Sequence, residues 1–245
     1  MKAMIFVAGL GTRLLNETSN KPKALVEVGG KTLLQHTIEK LKNEGVTEIV
    51  VNVHHFSEKI KTFLNENDFG IKIHISDETE KLLDTGGGLK KAAAFFTENE
   101  PVIIHNVDII NNLSLKKTAE FHKKSGVLAT VVVRKRQTQR YLKFDADNRL
   151  VGWINKKNGE TKISVRENFE DAAEMAFSGI HIVQPEIFKL MPEEDKFSIV
   201  DLYLELAKTH TIKGYFDNSE VWMDLGKPEE LAKARQIFNE KINTR

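Results

Sequence analysis

Hydrophobic positions in this chain fall into short blocks that alternate between two periods. Ala3-Met4-Ile5-Phe6-Val7 is a continuous apolar run, the pattern of a strand covered on both faces. Leu34, Ile38 and Leu41 then recur at helical spacing, and Gly45 follows as a C-cap. Residues 48–53 (EIVVNV) are β-rich, and Ile60, Phe63 and Leu64 share one face of a helix that Ser57 would cap. Ile71, Ile73 and Ile75 alternate with Lys72 and His74, as in an outer strand. A helix over 89–96, a buried strand at Val102-Ile103-Ile104, a helix over 114–124 and a strand over 128–133 continue the rhythm. Such β-α alternation predicts an α/β, Rossmann-like fold, with a mostly parallel sheet and helices on both faces.

Beyond Arg134 the rhythm changes. Residues 141–144 and 150–154 are short β-rich runs around the turn signal Asp145-Ala146-Asp147-Asn148, which predicts a hairpin. Residues 156–171 are polar and strand-poor and read as a loop or flap. Strands at 177–183, 215–216 and 221–223 and helices at 199–208 and 229–238 complete the pattern. There is no internal repeat, linker or low-complexity tract, so residues 1–245 read as a single unit with a change of character near residue 134.

Composition narrows the chemistry. With 36 Lys+Arg against 35 Asp+Glu the net charge is +1, without the broad basic footprint of a nucleic-acid binder. There are no cysteines, which removes disulfides, thiolate metal sites and Cys nucleophiles and suits a reducing compartment. No apolar stretch approaches the roughly 18 residues of a membrane span, and the first apolar run is too short for an export signal. A cytoplasmic protein that needs no membrane is the expectation. Eight histidines are present but no HExxH, and no G-x-S-x-G elbow occurs, so zinc-enzyme and serine-hydrolase readings have no residues to stand on. His54, His55 and His105 read as structural or surface residues.

The connection from the first strand to the first helix is the unusual segment. It spans Ala8 to Lys31, where such connections usually take about 2–6 residues. It contains Gly9-Leu10-Gly11-Thr12-Arg13-Leu14 and, further on, Pro22-Lys23. A dinucleotide fingerprint would need glycine where Leu14 stands, and a P-loop ending at Gly30-Lys31-Thr32 would need glycine at Leu25. What remains is a glycine turn after a buried strand with Arg13 and Lys23 on the same loop. Glycines let the backbone approach a ligand, and successive N–H groups can cradle an anion. Arginine grips phosphate oxygens with two donors, and lysine acts as a point charge. The combination describes a triphosphate cradle.

The segment resembles the G-x-G-T-R-L-x-P-x-T-x-x-x-P-K signature of sugar-1-phosphate nucleotidylyltransferases. Gly9, Gly11, Thr12, Arg13, Leu14, Thr18, Pro22 and Lys23 match in register, and Asn16 replaces the usual proline. Leu83-Asp84-Thr85-Gly86-Gly87-Gly88 is similar to the family's L-G/E-T-G/A-G-G motif, three glycines opening a helix with N–H groups available to a ligand. His105-Asn106-Val107-Asp108 ends a strand, where a carboxylate points into the ligand crevice of a parallel sheet. Trp222-Met223-Asp224-Leu225-Gly226-Lys227-Pro228 resembles the family's W-x-D-x-G-T-P, with Lys227 for threonine, and Phe177-Ser178-Gly179-Ile180 resembles a sugar-contacting strand.

The resemblance implies the nucleotide-diphospho-sugar transferase fold, with residues 1–134 as a nucleotide-binding half and 135–245 as a sugar-phosphate-binding half. It implies Arg13 and Lys23 as catalytic residues and Asp108 and Asp224 as ligands of Mg²⁺, neither of them structural. Ala8, Gly9, Leu10, Gly11, Thr12, Glu78 and Gly86 would contact the nucleotide, and Gly87, Asn106, Ser178 and Gly179 the sugar phosphate. The reaction implied is attack of a sugar-1-phosphate oxygen on the α-phosphate of an NTP. That nucleophile is already anionic near pH 7, so no general base is needed. The motifs are most similar to N-acetylmuramate-1-phosphate uridylyltransferases, which implies UTP, a role in cell-wall or glycan precursors, and a monomer or homodimer. Mannose-1-phosphate with GTP is the second pair. The run PKALV is also similar to phosphocholine cytidylyltransferases, though no aromatic cage for choline is evident. A non-enzymatic sensor of NTP or NDP-sugar would have lost the Arg/Lys pair or the metal ligands, and all four are present.

Overall fold

The computed structural model describes residues 1–9, 14, 17–96 and 99–243. Along the chain run β1 (Lys2–Phe6), β2 (Glu27–Val28), β3 (Lys31–Thr32), α1 (Leu33–Asn43), β4 (Glu48–Val53), α2 (Ser57–Glu66) and β5 (Lys72–Asp77). Next come α3 (Asp84–Lys91), β6 (Val102–Asn106), β7 (Ile109–Asn111), α4 (Leu115–Ser125), β8 (Ala129–Arg134) and β9 (Arg140–Phe144). The chain continues with β10 (Leu150–Asn155), β11 (Glu160–Ile163), β12 (Ala173–Val183), α5 (Ile199–Leu206), β13 (Ile212–Phe216), β14 (Trp222–Asp224) and α6 (Pro228–Asn243). These elements divide into two compact units that interleave in sequence. The first takes residues 1–82, 105–113 and 219–245, and the second 83–104 and 114–218. The expected division at residue 134 is therefore replaced by one in which the chain crosses between units four times.

In the first unit β1, β4 and β5 pair in parallel, with Ala3 opposite Ile49 and Ile49 opposite Ile73. Ala3, Met4, Ile5, Ile49, Val51 and Val53 are fully buried, as continuous apolar strands require. α1 buries Leu33, Leu34, Thr37, Ile38 and Leu41, and Thr32 caps it by accepting from the Gln35 N–H at 3.1 Å. Gly45 takes a φ of 88° just past the helix, as a C-terminal stop does. The cap expected at Ser57 is instead Phe56 in a left-handed conformation (φ 56°), and Ser57 is the first helical residue. The connection after β1 carries more structure than its composition suggested. It holds a 3₁₀ turn at Lys23–Leu25 and the two-residue hairpin β2/β3, whose Gly29 and Gly30 both have positive φ as a type I′ turn demands. β7 and β14 form a second antiparallel ribbon.

The second unit is a mixed sheet. β8 pairs in parallel with β13 and antiparallel with β12; β12 pairs with β9, and β9 with β10. The β9/β10 hairpin turns at the predicted Asp145–Asn148, where the Asp145 carboxylate accepts from the Asp147 and Arg149 N–H groups. Residues 156–171 are not strand-free. β11 lies within them, antiparallel to β10, because the turn after Asn155 folds polar residues onto an exposed strand whose polarity concealed it. α4 is capped by Ser114 and ends at Gly126 with φ 58°. α3 starts at Asp84 rather than at 89, so the three glycines lie inside the helix. Among the described residues no helix is long and apolar enough to cross a membrane.

Candidate active site

The first unit gathers the loop after β1, the turn between β6 and β7, and the end of β14. Pro22, buried and extended, leads into the 3₁₀ turn that carries Lys23. The Lys23 ammonium makes an ion pair with the Asp108 carboxylate, and the two side chains are only 13% and 15% exposed. Asp224 follows from strand pairing. It sits opposite Ile109 in the β14/β7 ribbon, and the Leu225 N–H donates to the Asp108 carbonyl at 2.9 Å. Asp224 Oδ1 accepts from the Gly226 N–H at 3.0 Å. Asp108 in the β6/β7 turn and Asp224 at the end of β14 are thus linked through the Leu225–Asp108 backbone bond, with Lys23 paired to the first of them.

The donor set suits a hard divalent cation. Both side chains offer oxygen, and the Asp108 carboxylate already holds a positive group. Among the described residues no cluster of three or more His, Cys, Asp or Glu could hold a metal. His105 is no ligand in this arrangement. It is 1% exposed, its Nδ1 bonds the Asn106 carbonyl at 2.8 Å, and burial pushes its pKa down to about 4. Asn106 itself ends β6 in a partly exposed position.

At the other edge of this unit Glu78 follows β5 and is 1% exposed. Its Oε1 accepts from Asn52 Nδ2 at 2.8 Å, and Asn52 Oδ1 accepts from the Val7 and Ala8 N–H groups at 2.7 and 3.4 Å. Glu78 is therefore tied to the end of β1 through Asn52. Sequence reasoning missed Asn52, although a lone amide inside the apolar run EIVVNV was the available signal. Gly9 is exposed, and a Cβ there would meet nothing within 4 Å, so packing does not require this glycine. Leu10, Gly11, Thr12 and Arg13 lie outside the described residues.

Gly86, Gly87, Ser178 and Gly179 belong to the second unit. The Gly86 and Gly87 N–H groups, expected to face a ligand, both donate to the Phe197 carbonyl, at 2.9 and 3.3 Å. A Cβ on Gly86 would lie 2.3 Å from the Phe197 ring, and one on Gly87 1.9 Å from the Asp195 carbonyl oxygen. These glycines let residues 195–197 pack on α3, which accounts for them without a ligand. Ser178 and Gly179 sit at a β-bulge in β12, where the register against β8 shifts and Gly179 takes φ 77°. Ser178 is fully buried.

The parallel β1/β4/β5 sheet, with Asp108 following β6 and Asp224 ending β14, belongs to the nucleotide-diphospho-sugar transferase fold. The sequence profile of the nucleotidyl transferase family matches residues 2–241, and the chain belongs to that family. It is 32% identical over 236 residues to the N-acetylmuramate alpha-1-phosphate uridylyltransferase of Caulobacter vibrioides, covering 93% of this chain and 92% of that protein. It is 30% identical over 253 residues to the mannose-1-phosphate guanyltransferase of Emericella nidulans, covering all of this chain but 66% of that protein. This chain thus spans slightly less than two thirds of the guanyltransferase. The crystal structure of HddC from Yersinia pseudotuberculosis superposes with a TM-score of 0.78 at 25% identity, over 97% of this chain and 99% of that one. The same protein has been solved in complex with GMP-PN.

Proposed function

We propose that this chain transfers a nucleotidyl group from an NTP to a sugar-1-phosphate, giving an NDP-sugar and pyrophosphate. The observation that carries the reading is the Lys23–Asp108 ion pair, set beside Asp224 by the β7/β14 ribbon. An oxygen of the sugar phosphate attacks the α-phosphorus, and the bond from that phosphorus to the pyrophosphate oxygen breaks. No proton has to be removed from the nucleophile. The task left to the protein is to neutralise and align two polyanions. Lys23 directs its ammonium at the α-phosphate, and Arg13 takes the β- and γ-phosphates. Asp108 and Asp224 would hold Mg²⁺, which supplies Lewis-acid stabilisation of the phosphate oxygens. Ala8, Gly9 and the residues that follow hold the nucleoside, and Asn106 and the Gly179 backbone the sugar.

UTP with N-acetylmuramate-1-phosphate is the first pair, supported by the Caulobacter relative, which matches this chain over nearly its full length. Mannose-1-phosphate with GTP is the second, supported by the guanyltransferase relative. Pyrophosphate release measured across a matrix of NTPs and sugar-1-phosphates tests both. Turnover confined to CTP with phosphocholine would overturn the sugar assignment, and NTP binding without any pyrophosphate release would leave a sensor.

A further inference from the structure

We propose that Asn52 is a positioning residue for the nucleotide loop, pinning the start of that loop to Glu78; this rests on the reading above that the segment after β1 holds the NTP. Asn52 is 3% exposed near the end of β4, between Val51 and Val53. A primary amide has one accepting end and one donating end. Its oxygen is committed to the Val7 and Ala8 N–H groups, the first two backbone donors beyond β1. The nitrogen then faces Glu78 Oε1, which accepts from it. Polarity therefore runs one way through the bridge, from the loop backbone through Asn52 to the carboxylate.

Glu78 is a firm anchor for such a bridge. Its N–H donates to the Val53 carbonyl at 2.7 Å, and its own carbonyl accepts from His54 Nδ1 at 2.7 Å and from the Lys81 N–H at 3.1 Å. The opposite side of the same β1 exit is held as well, because the Phe6 carbonyl accepts from the Val107 N–H, one residue before Asp108. The backbone that leads into Gly9 is thus clamped between the carboxylate turn on one side and Asn52 on the other. A clamp of this kind fixes the Val7–Ala8 backbone before an NTP arrives, which lowers the ordering cost of binding.

Reversal of the bridge's polarity tests this. Asn52→Asp sets an acceptor against the Glu78 carboxylate, whereas Asn52→Asp with Glu78→Gln restores one donor and one acceptor. For MgUTP and MgGTP, the single variant should raise the NTP KM or Kd about tenfold, the size of one lost buried hydrogen bond. The double variant should return it to within about threefold of the wild type. The KM for N-acetylmuramate-1-phosphate should stay within about twofold throughout, a split that general loosening of the fold would not produce. In wild-type protein without nucleotide, hydrogen exchange at the Val7 and Ala8 amides should already be slow, and this holds whether or not the single variant folds. Rapid exchange at both amides, a double variant no better than the single one, or parallel rises in both KM values would overturn the inference. Failure of the wild type to bind any NTP would instead remove the functional reading and the inference with it.

Discussion

At the residue scale, Lys23 and Asp108 are each other's partner, so a divalent cation on Asp108 has to share the carboxylate with an ammonium. Replacing Lys23 with Met should tighten Mn²⁺ binding in the absence of NTP by about tenfold, read from the free-ion electron paramagnetic resonance signal, because one competing charge is removed. The same variant should lose turnover by about 100-fold, since the charge on the α-phosphate is lost as well. Unchanged Mn²⁺ affinity would show that the lysine does not contest the site. The two carboxylates should also part company. Asp224→Asn should lower turnover by about 100-fold with little change in thermal stability, because the asparagine carboxamide oxygen can still accept from the Gly226 N–H. Asp108→Asn should lower turnover similarly and also destabilise the fold by about 1–3 kcal/mol, because it leaves a largely buried ammonium without its counter-ion. The sequence-based expectation that neither aspartate is structural fails for Asp108 on this pairing.

At the scale of elements, α3 shows how a ligand-like motif can answer to packing. Asp84-Thr85-Gly86-Gly87-Gly88 forms the first turn of the helix, and Thr85 Oγ1 accepts from the Ile199 N–H at 3.0 Å. With the Gly87 Cβ position 1.9 Å from a backbone oxygen, Gly87→Ala has to push residues 195–197 away from the helix. A loss of about 1–3 kcal/mol in chemical denaturation is the expected result, as in other overpacked sites. Gly9→Ala provides the contrast. Its Cβ enters open space, so stability should hold while NTP binding weakens. Equal stability of Gly87→Ala and wild type would remove the packing account of the triple glycine. The loop after β1 is likewise shaped by an element far away in sequence. Arg235 of α6 forks onto Glu17 at 2.6 and 3.0 Å and donates to the Glu27 carbonyl at 3.2 Å.

At the scale of the whole molecule, acid sensitivity follows from buried imidazoles. In the second unit His122 of α4 is fully buried, its Nδ1 bonds Thr130 Oγ1 at 2.8 Å, and burial lowers its pKa from 6.5 to about 4. His105 in the first unit is lowered to about 4 in the same way. Between pH 6.5 and about 4 the unfolded chain binds more protons at these sites than the folded chain does, so stability falls as the pH drops through that window. Thermal unfolding followed from pH 7 to 4 should show this decline, and His122→Gln should make it shallower. An unaltered slope in that variant would mean that His122 does not carry the effect.

Much of this protein was legible in its one-dimensional pattern. The apolar runs of β1, β4 and β6 and the 3.6-residue stripes of α1 and α2 determine their elements, because burial on two faces or one leaves a direct imprint on composition. Lys23, Asp108 and Asp224 stood out in the sequence through the family motifs that contain them, and the Lys23–Asp108 ion pair joins two of them. Polar β11 was not legible, since an exposed edge strand needs no apolar pattern. Neither was the role of Asn52, which depends on three strands bringing Val7, Ala8 and Glu78 to one amide. The glycines of α3 read as a ligand site until Phe197, more than a hundred residues away, supplied the carbonyl that takes their N–H groups. Local periodicity thus determined which segments become strands and helices. Only the tertiary structure decided which donors and acceptors meet, because hydrogen-bond partners distant in the chain are chosen by geometry that no local pattern encodes.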